Sequence, residues 1–510
     1  MNFYLLRQWT LKTATVTVCC LMTVFGGVQA QTIKRGCLVN WNPRSFTRSA
    51  ADGVAYGDRG WDASRTYRQL VVLVSFSDLD FSLEDPRGTY DTIFNTPGYT
   101  QRDGAGCVAD YFRDQSNGLF NLQFDVYGPY KTNCPVKTGS SDLNEGHEAF
   151  MEATRMLIEE QPDIDFSQYD WDGDNIVEPI VYVYAGYCGN QSSIKDEGYI
   201  WPTTGSFATI ETPDGHKIFM YSASGELWAN NTSHGIGTIC HEFSHCLGLP
   251  DIYPTSTKVR DLSIVDEWDL MDGGTATNFG WCPPNYSPFE KMIMGWLTPK
   301  ELTADTVITD VKPVAEGGEA YLIRQNDDEF YLLENRQWNG WDYGVPGLGL
   351  VIYHVVYNKI NWQINNVNNV QGKPNYSLLA ADGQSFTDWY NLIKESGFRT
   401  PYSDTERQLH SWILSGAPYP WQDEETHVDQ VTLFDEKSLN DIILHEDGTV
   451  SFNFHTSSNG IRSLKAEPVA TGVYTLSGLK LRDDGKTEGL PRGIYIVNGQ
   501  KKIVHKGHKK

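Results

Sequence analysis

One eleven-residue stretch constrains the fold of this 510-residue chain more than any other: His241-Glu-Phe-Ser-His-Cys-Leu-Gly-Leu-Pro-Asp251. Ser233 to Leu247 has the length and apolar spacing of a helix, Gly248 suits the left-handed position past its end, and Pro250 prevents continuation. Residues four apart on a helix share a face, so His241 and His245 can aim two imidazoles at one point. Reversal at Gly248 then returns Asp251, ten residues after His241, toward the same point. The surrounding domain must therefore supply a helix followed at once by a tight turn, the alternative being a surface helix with two incidental histidines.

Two neutral imidazoles and a carboxylate suit zinc, and three protein ligands leave a position for water. Glu242 can reach that water without binding the ion, which makes it the candidate general base. Zinc lowers the pKa of water from 15.7 to about 7, so a base beside it can take a proton and pass it to a leaving amine. Asp251 is the expected third ligand, with Glu267 as the alternative. Met271, on the Gly-rich turn Trp268 to Gly274, is either a hydrophobic floor beneath the ion or ordinary core. Tyr253 and Tyr286 are candidate donors to the oxyanion. Cys240 and Cys246 flank the ligands but are offset by about a hundred degrees on the helix, as buried core or disulfide partners.

A second set of oxygens lies in Asp170-Trp-Asp172-Gly-Asp174-Asn-Ile-Val-Glu178. Carboxylates at alternating loop positions can gather round calcium, although Val181 stands where an EF-hand loop ends in Glu. The alternative is an Asp/Gly turn without metal.

The first residues carry Arg7 and Lys12, an apolar run from Ala14 to Val28, and Val28-Gln29-Ala30, a small-residue ending that suits signal peptidase. Residues 1–30 therefore read as a signal peptide, and no later stretch qualifies as a membrane helix. Net charge is −24, and losing Arg7 and Lys12 makes the processed chain −26, which argues against nucleic acid or anionic membranes as partners. Seven Cys remain after processing, with no dense disulfide spacing.

Residues 31–68 read as a leader or propeptide, whose Cys37 either caps the zinc of a zymogen or is an ordinary loop thiol. Strands are expected at Leu70–Phe76, Phe120–Tyr127 and Ile180–Ala185, and helices at Cys107–Arg113, Ser141–Glu160 and Pro288–Trp296. The fold class is α+β: a zinc protease domain over 69–300, a β-rich accessory domain over 301–456, and a small C-terminal β module over 457–510. Short strands in the accessory domain are expected at Tyr321–Arg324, Phe330–Glu334, Leu348–Val356, Val431–Phe434 and Thr449–Phe454.

From about Gln69 to about Phe454 the chain resembles the immune inhibitor A-type family of secreted bacterial metallopeptidases. Beyond the histidine motif, the resemblance rests on Val71 to Ser75, Asp110 to Ser116, Tyr169 to Glu178, Ile200-Trp-Pro202, Lys291 to Leu297, Glu334 to Gln337 and Gly340-Trp-Asp342. It implies a metzincin-like zinc endopeptidase with His241 and His245 as ligands and Glu242 as base, a zymogen leader, and calcium dependence. It also implies protein or peptide substrates. Asp251 fills the family's acidic position. The part after Gly460 resembles terminal β modules of secreted proteins from Bacteroidetes, which implies sorting or surface attachment. Two other readings are a surface-binding protein with a structural zinc, and a metal-dependent hydrolase of a non-protein amide bond.

Overall fold

The computed structural model describes residues 61–137, 145–190, 197–228, 230–256, 264–370, 373–383, 416–423 and 425–456, with short stretches between 472 and 504. The segment read as a signal peptide, most of that read as a leader, with Cys37, residues 457–460 and the end of the basic tail lie outside the described residues.

The first sheet has five strands in the order β2-β1-β3-β5-β4: β1 (Thr66–Ser75), β2 (Asn121–Lys131), β3 (Ile180–Tyr187), β4 (Thr203–Glu211) and β5 (Lys217–Leu227). The inner strands are parallel and β4 forms an antiparallel edge. Position in the sheet explains the sequence pattern. β1 and β3 lie inside and are buried along nearly their whole length, hence their unbroken apolar runs, whereas edge strand β2 alternates. β1 begins at Thr66, inside the segment read as leader, and Trp61 packs on Phe120 and Trp296.

Helices α1 (Pro86–Asn95), α2 (Val108–Gln115), α3 (His147–Glu160) and α4 (Gly237–Cys246) pack against this sheet. Proline in its first turn and an Asp85 cap on Gly88 start α1, which the sequence reading passed over together with β4 and β5. Helix α4 starts four residues later than expected. Gly235 sits at φ +72, and a Cβ there would lie 2.4 Å from the Gly280 oxygen, so the chain before α4 is irregular to admit the 274–280 turn. Helix α5 (Pro288–Ile293) is shorter than expected because Gly295 turns left-handed at φ +72.

The second region is a β-sandwich. One sheet has the order β11-β10-β9-β8-β6, from β6 (Lys300–Glu301), β8 (Tyr321–Arg324), β9 (Glu329–Arg336), β10 (Gly349–Val356) and β11 (Tyr376–Leu378). The other has the order β12-β13-β14-β7, from β7 (Thr306–Val311), β12 (Val431–Phe434), β13 (Lys437–Leu444) and β14 (Val450–His455). Ile323, Leu333, Leu350 and Ile352 face the second sheet's Leu439, Phe452 and Phe454. The alternate residues Leu322, Leu332, Val351 and Tyr353 join the large core that contains β1, β3 and α4. The two regions thus share one core. A small four-stranded sheet between residues 473 and 504 follows, with Val473 and Val497 buried. Among the described residues, no helix is long and apolar enough to cross a membrane.

Candidate metal centre

Helix α4 lies beneath β5 and β4 with all ten of its residues buried. It puts His241 and His245 on one face, their rings 4.7 Å apart and nearly perpendicular. Gly248, at φ +95, reverses the chain as its position predicts. Asp251 Oδ1 then comes to 3.3 Å from the Nε2 atoms of both histidines.

Backbone carbonyls set the tautomers. His241 Nδ1 donates to Leu270 O at 2.9 Å and His245 Nδ1 donates to Leu249 O at 2.7 Å. A carbonyl can only accept, so each Nδ1 carries a proton and the Nε2 lone pairs converge on Asp251. His245 Nε2 and Asp251 Oδ1 are buried with no hydrogen-bond partner. Burial raises the Asp251 pKa, but His245 and His241 outweigh it and hold the carboxyl well below the usual range. Burial pulls the His245 imidazole down, yet Asp251 and then Glu242 lift its pKa to about 9. The pocket thus calls for positive charge where three donor atoms meet, and the three side chains could hold a metal ion.

The 268–274 turn supports both parts of the group. Leu270 O holds His241, while Met271 O accepts the N–H of Ile252 at 2.8 Å, next to Asp251. Met271 itself is fully buried in the core. Glu242 is buried, and the Thr204 hydroxyl on β4 lies 3.2 Å from its Oε2 and 2.6 Å from its carbonyl oxygen. Tyr253 lies parallel to the His241 ring with centroids 6.4 Å apart, whereas the Tyr286 hydroxyl is bonded to Ser244 within the core. Glu267 does not join the group, and Cys240 and Cys246 are buried free thiols.

Asp170, Asp172 and Asp174 also bring carboxylate oxygens within 4.8 Å of one another. Glu178 does not join them; it is buried and accepts from Trp171 N at 3.3 Å. Burial, followed by the charge of Asp172, pushes its pKa well up.

Sequence reasoning missed Asn365, whose amide Nδ2 donates to Asp251 Oδ2 at 2.7 Å across 114 residues of chain. Six asparagines between 358 and 369 were the available signal.

No curated protein matches the chain. Residues 210–295, from the end of β4 to just past α5, match the family model described as immune inhibitor A peptidase M6, catalytic domain. That stretch holds His241, Glu242, His245, Asp251 and the Met271 turn, supports a metallopeptidase, and bears out the resemblance to the immune inhibitor A-type family.

Proposed function

We propose that the chain is a secreted zinc endopeptidase that hydrolyses peptide bonds of extracellular or host proteins. The observation that carries this reading is the convergence of two Nε2 lone pairs and one buried carboxylate oxygen, with Glu242 the next residue after His241. Two nitrogens and an oxygen in a small buried site suit zinc among the common divalent ions. Held there, zinc supplies Lewis acidity toward a carbonyl and acidifies water toward neutral pH. Glu242 then takes the proton from water as it attacks the peptide carbonyl, and hands it to the leaving amine. The Thr204 hydroxyl, donating to the Glu242 carbonyl at 2.6 Å, ties this residue to β4.

A structural zinc is normally closed by a fourth Cys or His. Among the described residues the group holds three members, and the flanking thiols stay outside it. That favours catalysis over a purely structural ion. The Asp170–Asp174 loop is proposed as a calcium site on the same reading.

The test is casein cleavage by the purified mature protein. Cleavage should stop with a zinc chelator and return with zinc. Glu242→Gln should keep its zinc and lose activity by about 10²–10⁴-fold. Cleavage that survives metal removal overturns the zinc reading, and an active Glu242→Gln enzyme overturns the base.

A further inference from the structure

We propose that Asn365, supplied by the β-sandwich, is a positioning residue of the metal centre, so that the centre is complete only when that second region is docked. The inference rests on the reading of His241, His245 and Asp251 as metal ligands.

Asp251 follows the turn at Gly248 and belongs to no helix or strand, so its own secondary structure does not set its direction. Asn365 does so from both sides. Its Oδ1 accepts the Asp251 N–H at 2.7 Å, and its Nδ2 donates to Asp251 Oδ2, also at 2.7 Å. The first bond needs an acceptor, which leaves the amide NH2 to face the carboxylate and makes the orientation unambiguous. With Oδ2 occupied, Oδ1 is the oxygen turned to the two imidazoles, and it has no donor of its own. A buried carboxylate held through one oxygen presents the other as a single, directed ligand atom.

Neighbouring asparagines fasten the rest of the ligand loop. Asn365 lies just after helix α6 (Lys359–Gln363), between β10 and β11, at a left-handed φ of +53 that Asn tolerates better than most residues. Its carbonyl accepts from the Thr255 hydroxyl at 3.0 Å. Asn368 donates to Ile252 O at 2.8 Å and is itself held by the Asn375 and Tyr376 N–H groups. Asn369 accepts from Ser256 N at 2.7 Å and donates to the Thr255 hydroxyl at 2.9 Å. Three asparagines of one turn thus bond to residues 251, 252, 255 and 256. Only Asn365 touches the carboxylate itself.

Zinc affinity measured by competition with a chromophoric chelator tests the proposal, together with the visible spectrum of the cobalt-substituted full-length protein. Asn365→Gly removes the side chain yet suits the left-handed φ. Asn365→Asp keeps an acceptor for the Asp251 N–H but sets an oxygen against Oδ2. Both should weaken zinc by about 10–100-fold, the usual range for a group that orients a ligand, and shift the cobalt bands. Asn375→Ala is the control: its side chain bonds to Val356 and Asn361 and leaves the 251–256 loop untouched. It should lower the melting temperature while affinity and spectrum stay unchanged. Wild-type affinity and spectrum in both Asn365 variants, with zinc lost from Asp251→Ala, would overturn the positioning role alone. Full zinc retention in Asp251→Ala would overturn the ligand reading and the positioning role with it.

Discussion

Among the described residues, ligand atoms gather within 4.8 Å of one another in two places, and the two places treat their carboxylates in opposite ways. At Asp170, Asp172 and Asp174 the backbone answers the charge. Asp170 accepts the N–H groups of Gly173, Asp174 and Asn175, Asp174 accepts that of Ile176, and two of the three side chains are exposed. At His241, His245 and Asp251 every member is buried, the outward atoms are tied to carbonyls or to Asn365, and the inward His245 Nε2 and Asp251 Oδ1 have no hydrogen-bond partner. The contrast teaches that closeness of acidic groups is a poor guide to a metal. What counts is whether the inward atoms are left unsatisfied in a place that water and backbone do not fill. A third arrangement completes the comparison. Asp269 Oδ2 and Glu290 Oε1 are buried without a donor, and their carboxyl groups interact closely enough to share a proton.

The largest expected effect separates the first two places. Asp251→Ala should cost more zinc affinity than the roughly 10–100-fold expected of a group that only orients a ligand, while Asp172→Ala and Glu267→Ala keep full zinc content. Metal analysis of the three purified variants decides it. Zinc retained in Asp251→Ala but lost from Glu267→Ala would transfer the third ligand to Glu267.

Local pattern carried much of this to the surface of the sequence, and distance hid the rest. The runs at Leu70 and Ile180 announce strands buried on both faces, and Gly248 with Pro250 announces the reversal to Asp251. β4 was missed because Thr203 to Glu211 is a half-exposed edge with Gly and Ser and no alternation. Five sandwich strands were legible, those near 321–324, 330–334, 348–356, 431–434 and 449–454, but Lys300–Glu301, Thr306–Val311, Tyr376–Leu378 and Lys437–Leu444 were not, and neither was the docking. The apolar neighbours Leu332 and Leu333 report burial on two faces without saying which face meets the helices. The asparagine cluster marks a turn at 358–369, but that Asn365 meets Asp251 lay beyond reach for the same reason, since a hydrogen bond across 114 residues leaves no local period.

A smaller effect tests the shared proton. Burial lifts Glu290 from its ordinary 4.5 to about 7, and burial with the Glu290 charge pushes Asp269 well up. In the unfolded chain both protons leave near the ordinary values. Between about pH 4.5 and 7 the folded state therefore holds more protons, so this pair costs stability as pH rises through that window. Glu290→Gln can still accept from Ser287 and can offer an amide hydrogen to Asp269. Its melting temperature should exceed that of the parent by on the order of 5 °C at pH 8 and match it more closely at pH 5. An equal difference at both values would show that no proton is shared.

The smallest effect belongs to the loop whose carboxylates are already answered. Because Gly173 at φ +78 and Asn175 at φ +65 bend the backbone so that its N–H groups reach Asp170, the loop is shaped before any ion arrives. A cation would gain little from new order and much from relieving repulsion among three carboxylates. Extracellular sites of this kind hold calcium at about 10⁻⁴–10⁻³ M. Tenfold excess of ligand over its dissociation constant stabilises the folded state by about 1.4 kcal/mol, which for a chain of this size is a rise of about 2 °C in melting temperature. Calcium should produce that rise in the parent and not in Asp172→Asn, while the zinc content of both stays the same. If Asp172→Asn responds like the parent, or neither responds, the loop is an Asp/Gly turn held by its own backbone, and Asp251 with its two histidines is the one metal centre among the described clusters.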